Sequence, residues 1–484
     1  MTTMSYPGAL RLHAERSPDR TALVCGDRVL SYAELDREST LLARAYAERG
    51  VAHGAFVTVA LPNGVEFVLA CFAIWKLGAV PQPISWRLPE KERRAILEQA
   101  KPALVVGVAA SEAAGAPSVP AGFTPEPHHG DAPLPDRTSP SRQALASGGS
   151  TGRPKLIVDA LPAECDPTQS FYGNEPGSIA LVPGPLYHAA GFLNTSLTLL
   201  LGGSVVLMER FDPAQALALI ERFAVRWVAF VPTMLLRIWR LPEAARTRCD
   251  LSSLERVVSS GAPCPPWLMR EWIGWLGPDR VFEAYGGTER IGGTLISGRE
   301  WLEHPGSVGR PTGGRKIRIL GEDGRELPPG EIGDVFMMPP GGRGSTYRYV
   351  GADARATDDG WETLGDLGTL DADGYLYLVD RRTDLIVTAG SNVYPAEVEA
   401  ALEAHPHVRS CAVIGLPDPD LGQRVHAIVE ARPAVTDDEL RTHLALHLVR
   451  YKTPRSFEYV DTPLRDEAGK VRRSALRDAR MPRS

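Results

Sequence analysis

The sequence predicts an α/β fold: a large N-terminal domain of α/β sheets plus a β region, then a small α+β C-terminal domain. Three patterns predict it. Through most of the chain, β-like runs alternate with helical ones, as parallel sheets wrapped by helices require. From about Gly306 to Gly374 the pattern changes to short strands separated by Gly and Asp turns, as in an antiparallel region. The remainder returns to a compact α+β mixture. At 484 residues the chain exceeds one ordinary core, so two or more domains are expected.

The elements follow in order. "VAHGAFVTVALP" ends in a strand, "NGVEFVLACFAIWKLG" has helical spacing closed by Gly78, and "AVPQPIS" is a second strand. This strand–helix–strand unit implies parallel pairing. "PALVVGV" is a further strand, and the aperiodic stretch from Ala109 to Ser141 is expected to be a long surface connection. "SIALVPGPLY", "GGSVVLM", "RWVAFVP", "RVVSSGAP" and "RVFEAYGGTE" are strand-like, and "DPAQALALIERF" is a helix. In the last part, "VYPAEVEAAL" is a helix with Pro395 near its start, and "SCAVIGLP" and "RVHAIVEAR" are strands. "VTDDELRTHLALHL" is a helix with a capping box from Thr436 to Glu439.

Composition narrows the function. The formal net charge is −6, so no broad cationic field is offered and nucleic acid is not an expected partner. The most apolar run, Phe67 to Trp75, is too short to span a bilayer, and the N-terminus lacks an apolar core of signal-peptide length. A cytoplasmic location is therefore expected. The six cysteines are scattered without a CxxC pair and suit neither a zinc site nor a disulfide frame. Of 53 basic residues only seven are lysine. Arg does not freely replace Lys, a compact charge on a flexible stem. A lysine at a motif position is therefore informative in this chain.

The stretch "ASGGSTGRPKLIVDA", Ala146 to Ala160, combines three glycines, hydroxyl side chains and Lys155. Linkers share this composition, but a linker would not lead through Arg-Pro-Lys into a β-like run. It is not a Walker loop, since Arg153 and Pro154 separate Gly152 from Lys155 and Leu156 follows. G-x-G-x-x-G is absent as well. What remains is a turn whose backbone N–H groups, hydroxyls and one cation suit the mobile end of a triphosphate.

This loop resembles the phosphate loop of the adenylate-forming superfamily: acyl-CoA synthetases, peptide-synthetase adenylation domains and luciferases. Other stretches resemble that family's motifs in the same order. They are "LSYAEL", "WKLGAVPQPIS", "SSGAP" (Ser259 to Pro263), "YGGTE" (Tyr285 to Glu289), "GWETLGDLG", "VDRRTDLIVTAGSNVYPAEVEAAL" and "PLRDEAGKVRRSAL". The resemblance covers nearly the whole chain. It implies an N-terminal adenylation domain over 1–382 and a mobile C-terminal domain over 383–484 that carries the catalytic lysine.

The roles that follow are implied by the resemblance. Ser147, Gly148, Gly149, Ser150, Thr151, Gly152 and Lys155 would hold the departing phosphates of ATP. Thr288 would bond the α-phosphate, and Glu289 would carry Mg²⁺. Gly261, Ala262 and Pro263 would pass close to adenine, with Tyr285 and Gly286 on its other side. Asp366 would accept the ribose hydroxyls, and Arg381 would lie near ribose and phosphate. Lys470 would offset the charge of the two anions brought together. The small domain would then rotate, bringing the segment around Gly390 to the site for attack by the thiol of coenzyme A.

Three positions depart from the family pattern: Thr383 at the hinge, Asp380 before Arg381, and Leu156 after Lys155. His188, in "PLYHAAGF", matches a position at the entrance of the acyl pocket. No acid stands where amino-acid-activating relatives bind an ammonium, so a hydrophobic carboxylic acid is expected. Gly287, Gly292 and Gly293 suggest room for a bulky, even polycyclic one. The loop also resembles those of bile-acid and terpenoid-acid CoA ligases. The chain ends soon after Lys470 with no appended carrier domain, which points to CoA as acceptor. A separate carrier protein is the alternative acceptor, a non-catalytic adenylate-binding protein is a third expectation, and a homodimer stays open.

Overall fold

The computed structural model describes residues 3–126, 130, 132–148, 154–467 and 469–481. Its largest sheet has nine strands. Six run parallel: Thr21–Cys25, Ser204–Leu207, Ile179–Val182, Trp227–Phe230, Arg256–Ser260 and Val281–Gly286. Antiparallel strands close both edges, Arg28–Ser31 on one side and Gly293–Ser297 with Arg310–Pro311 on the other. A second sheet, all parallel, orders Val80–Pro83, Phe56–Val59, Leu104–Val106 and Ser118–Val119. The predicted strand–helix–strand unit is the first part of this sheet.

The helix of that unit, Val65–Lys76, is buried along almost its whole length. A helix apolar on every side has to be covered on every side. Here it lies within the core that also holds Tyr6, Tyr32, Tyr46 and Phe192. Its buried charge, Lys76, bonds to Asp36 (2.6 Å) and to Thr40. The stretch Ala109–Ser141 differs from expectation. It contributes the parallel strand Ser118–Val119, and Ser139 and Ser141 are buried. A two-residue edge strand is too short to show a period of two.

The β region consists of antiparallel strands Lys316–Leu320, Gly333–Met338, Glu362–Leu370 and Leu376–Arg381. Tyr347–Val350 instead joins a three-stranded sheet with Pro154–Asp159 and Ala144–Gly148. The small C-terminal sheet is built on the long pair Val408–Asp418 and Gly422–Ala431. Helices Pro395–Glu403 and Asp437–Ala445 pack around a core of its own. Pro395 opens the first helix, and Thr436 and Glu439 form the expected capping box on the second. Among the described residues, no helix is long and apolar enough to cross a membrane.

Candidate active site

Four segments meet where the parallel strands of the large sheet end at their carboxyl sides, the usual ligand edge of such sheets. After Ile179–Val182 the chain reaches Tyr187 and His188, which leads into helix Ala189–Leu200. After Trp227–Phe230 come Pro232 and Thr233. After Arg256–Ser260 comes the turn Gly261–Ala262–Pro263, where Gly261 takes φ +88°, a region that favours glycine. Strand Val281–Gly286 delivers Tyr285 and Gly286 and then Thr288 and Glu289. A small cavity opens here, lined by Val231, Thr233, Ala262, Pro263, Glu403 and Gly469. The last two come from the C-terminal domain.

Asp366 and Arg381 face each other across neighbouring strands. Arg381 Nε lies 3.3 Å from Asp366 Oδ1, and the Tyr285 hydroxyl donates to Asp366 Oδ2 (2.6 Å). Burial and then the Asp366 charge hold the Tyr285 phenol well above its usual pKa, so it remains a donor. Tyr285 therefore anchors the carboxylate that the sequence assigned to ribose. Asp366 and Glu289 are each 8% exposed.

Tyr349 was not singled out by the sequence. Lys155 Nζ donates to its hydroxyl (2.8 Å), which donates onward to Glu289 Oε1 (2.7 Å). Lys155 and Glu289 are themselves 3.6 Å apart. One phenol thus spaces the loop cation from the carboxylate assigned to Mg²⁺. The one local signal was the Tyr-Arg-Tyr alternation, which puts Tyr347 and Tyr349 on one face of a strand. Tyr349→Phe is expected to weaken MgATP binding about 3–10-fold, the loss of a charge-assisted hydrogen bond. Titration calorimetry without acid measures it. The fold should persist, because the ring packing against Tyr347 is kept.

Lys470 stands on the hairpin between Arg465 and Val471. It is exposed along the open cleft, yet protein on its other sides removes enough water to lower its pKa, and Arg381 lowers it further. His188 is half-buried, and desolvation and then Lys470 bring its pKa down to about 4, so its imidazole is neutral near pH 7. Arg381 thus works against the Lys470 charge, while Asp466 and Glu289 favour it, across a cleft where Asp366 and Glu289 already accept from tyrosine hydroxyls. A bound anion would add a partner for both cations. The donor set therefore fits a polyphosphate.

A lone Glu289 also fits Mg²⁺, which takes one or two carboxylates and completes its shell with phosphate oxygens and water. Among the described residues, three metal-ligand atoms gather only at His304, Asp371 and Asp373. There Asp371 already accepts from Tyr377, from two backbone N–H groups and from the His304 ring.

Gly149, Ser150, Thr151 and Gly152 are outside the described residues. Ser147 and Gly148 end the strand that pairs with Lys155 and Pro154. Gly390 tips an exposed hairpin of the small domain, and a Cβ there would meet nothing within 4 Å. Two of the three glycines taken as extra room are not room. A Cβ on Gly292 would lie 2.1 Å from Met337 Sδ, and one on Gly287 would lie 2.6 Å from Leu364 Cδ1. Both glycines admit neighbouring side chains. A Cβ on Gly293 would make only ordinary contacts, at 3.4–3.5 Å.

Fold and site together define an adenine-nucleotide-binding enzyme with a small domain that brings a lysine to the cleft. A family model described as AMP-binding enzyme matches residues 10–342, and one described as AMP-binding enzyme C-terminal domain matches residues 397–470. The chain belongs to the AMP-binding enzyme family. It is similar to the feruloyl-CoA synthase of an Amycolatopsis species, 34% identical over 481 residues that span 96% of each chain. It also resembles the solved o-succinylbenzoate CoA synthetase of Bacillus subtilis in complex with its acyl-adenylate intermediate. The TM-score is 0.82 and the identity 27%, over 100% of both chains. The same synthetase in complex with ATP and magnesium ion gives a TM-score of 0.80, again at 27% identity, over 98% and 100% of the two chains.

Proposed function

We propose that the protein is an AMP-forming acid–thiol ligase that joins a hydrophobic carboxylic acid to coenzyme A. The observation that carries this is the convergence of Lys155, Arg381 and Lys470 on a cleft with Glu289 and Asp366. The acid's carboxylate oxygen attacks the α-phosphorus of ATP, and the bond to the bridging oxygen breaks. Pyrophosphate leaves with the electron pair. The thiolate of CoA then attacks the acyl carbon, and AMP leaves. Mg²⁺ held by Glu289 would supply charge neutralisation on the phosphates. Thr288 sits beside Glu289 to meet the α-phosphate, and the backbone of Gly261 to Pro263 and of Gly286 admits the adenine. Lys470 holds the acid's carboxylate and the nucleotide together, and neutral His188 stands at the acyl end without adding a charge.

Aromatic acids are the first class to try, since the relatives above are named for feruloyl and o-succinylbenzoate groups. The boundary between 382 and 383 is supported by opposite anchoring. Arg382 bonds Asp334 of the β region (2.8 Å), while Asp384 bonds Arg473 of the small domain (2.9 Å). Thr383 lies exposed between them as the pivot. Rotation there carries Lys470 out and the Gly390 hairpin in. A cytoplasmic location suits the nucleotide and CoA. The test is mass spectrometry after incubation with ATP, Mg²⁺, CoA and pooled fatty, aryl, steroidal and terpenoid acids. An acyl-CoA product is expected. Acyl-AMP without a thioester would point to a carrier protein as acceptor, and no AMP release from any acid would overturn the assignment.

A further inference from the structure

Lys470 sits in a turn held by Asp466, through both its carbonyl and its carboxylate. Gly469 N donates to Asp466 O (2.9 Å), and Lys470 N donates to Asp466 Oδ1 (2.9 Å). The turn presses into the cleft so closely that a Cβ on Gly469 would lie 2.8 Å from Thr233 Oγ1. Two ion pairs cross from the small domain to the large one on either side of this lysine. Arg87 Nη1 meets Glu467 Oε1 at 2.7 Å, and Arg472 Nη1 meets Glu92 Oε1 at 3.2 Å. Tyr187, next to His188, adds a contact from its hydroxyl to Glu467 Oε2 (3.4 Å).

The order of these charges carries information. The large domain offers a cation at 87 and an anion five residues on, at 92. The hairpin offers an anion at 467 and a cation five residues on, at 472. The two segments match in one relative placement. Turned end for end, they would set like charges together, which is unfavourable. We infer that Arg87 and Glu467, with Glu92 and Arg472 as the second pair, are positioning residues. They hold the Lys470 hairpin in the cleft for the adenylation step and release it for the thioester step. The inference rests on the ligase assignment for the step that Lys470 serves.

The four side chains are 41–66% exposed. Such pairs are weak, each worth up to about a fivefold change in a two-state equilibrium. A weak clamp suits a domain that has to let go in every cycle.

The test is a charge-swap cycle: wild type, Arg87→Glu, Glu467→Arg and the double variant. Hydrogen–deuterium exchange of the backbone over 463–472 reads the clamp without turnover. Exchange should rise several-fold in each single variant and return toward wild type in the double. ATP–pyrophosphate exchange should fall about 3–10-fold in the single variants. Thioester formation from supplied acyl-adenylate should be unchanged or faster. Unchanged hydrogen exchange in the single variants, or no recovery in the double, would overturn the clamp. If the wild type exchanges pyrophosphate with no acid, the ligase assignment fails, and the hydrogen-exchange cycle still decides the clamp.

Discussion

Lys470→Ala is expected to lower the adenylation rate about 10²–10³-fold, the usual loss when one preorganised charge-stabilising donor is removed. Thioester formation from supplied acyl-adenylate should be nearly untouched, because the proposed rotation would carry Lys470 out of the cleft for that step. The split between half-reactions separates a catalytic role from a general loss of fold. It also disposes of the non-catalytic alternative: a protein that only binds AMP would barely notice the change. Lys470→Arg should recover little, since a planar, bulkier guanidinium does not reproduce a compact ammonium between two anions.

The same lysine predicts a pH effect with a definite sign. Desolvation and Arg381 hold its pKa below that of ordinary lysine in the free enzyme. The charged form is the active one, so activity is lost as pH rises through this lowered pKa. Bound ATP and acid bring negative charge to the ammonium and push the pKa back up. The alkaline limb of kcat/KM, which reports the free enzyme, should therefore lie at lower pH than the limb of kcat, which reports the complex. Coincident limbs would mean that bound ATP and acid bring no negative charge to the Lys470 ammonium.

What the sequence revealed follows the range of each interaction. Strands and helices were legible because they depend on residues two to four apart, as in Phe56–Val59 and Val65–Lys76. Caps were legible for the same reason, as with Pro395 and the Thr436–Glu439 box. Lys155 and Lys470 stood out because lysine is rare in this chain. Long-range features were not legible. Gly287 and Gly292 look like open space until Leu364 and Met337 fill it. Tyr349 has no local mark of its role, because its partner Glu289 lies 60 residues earlier. The pairs Arg87–Glu467 and Glu92–Arg472 join residues 380 apart, and each side alone resembles any solvated charge.

Glu399→Ala is expected to destabilise the C-terminal domain by about 3–5 kcal/mol, the cost of breaking a buried ion pair by removing one partner. Glu399 is nearly fully buried on helix Pro395–Glu403. It accepts from Arg473 (2.8 Å), from Arg465 (3.3 Å) and from the backbone N–H of Val413 (2.8 Å). Burial works against the Arg473 charge, but Glu399, Asp380 and Asp384 more than offset it, and its pKa stands above that of ordinary arginine. Without Glu399, Arg465 keeps Glu403, and Arg473 keeps Asp384 and the more distant Asp380. For a domain of this size the loss means a fall in Tm on the order of 10 °C or more. Circular dichroism should resolve it as an early transition ahead of the N-terminal domain. The double variant Glu399→Met with Arg473→Met should be less harmful than Glu399→Ala alone, since it removes charges together. The network also links function to fold. Arg473 reaches Asp384 beside Thr383, and Arg465 begins the hairpin that carries Lys470. Glu399 holds both arginines, so Asp384 and the hairpin that carries Lys470 are tied to one helix. Glu399→Gln, which keeps the shape and loses the charge, should therefore both lower Tm and slow adenylation.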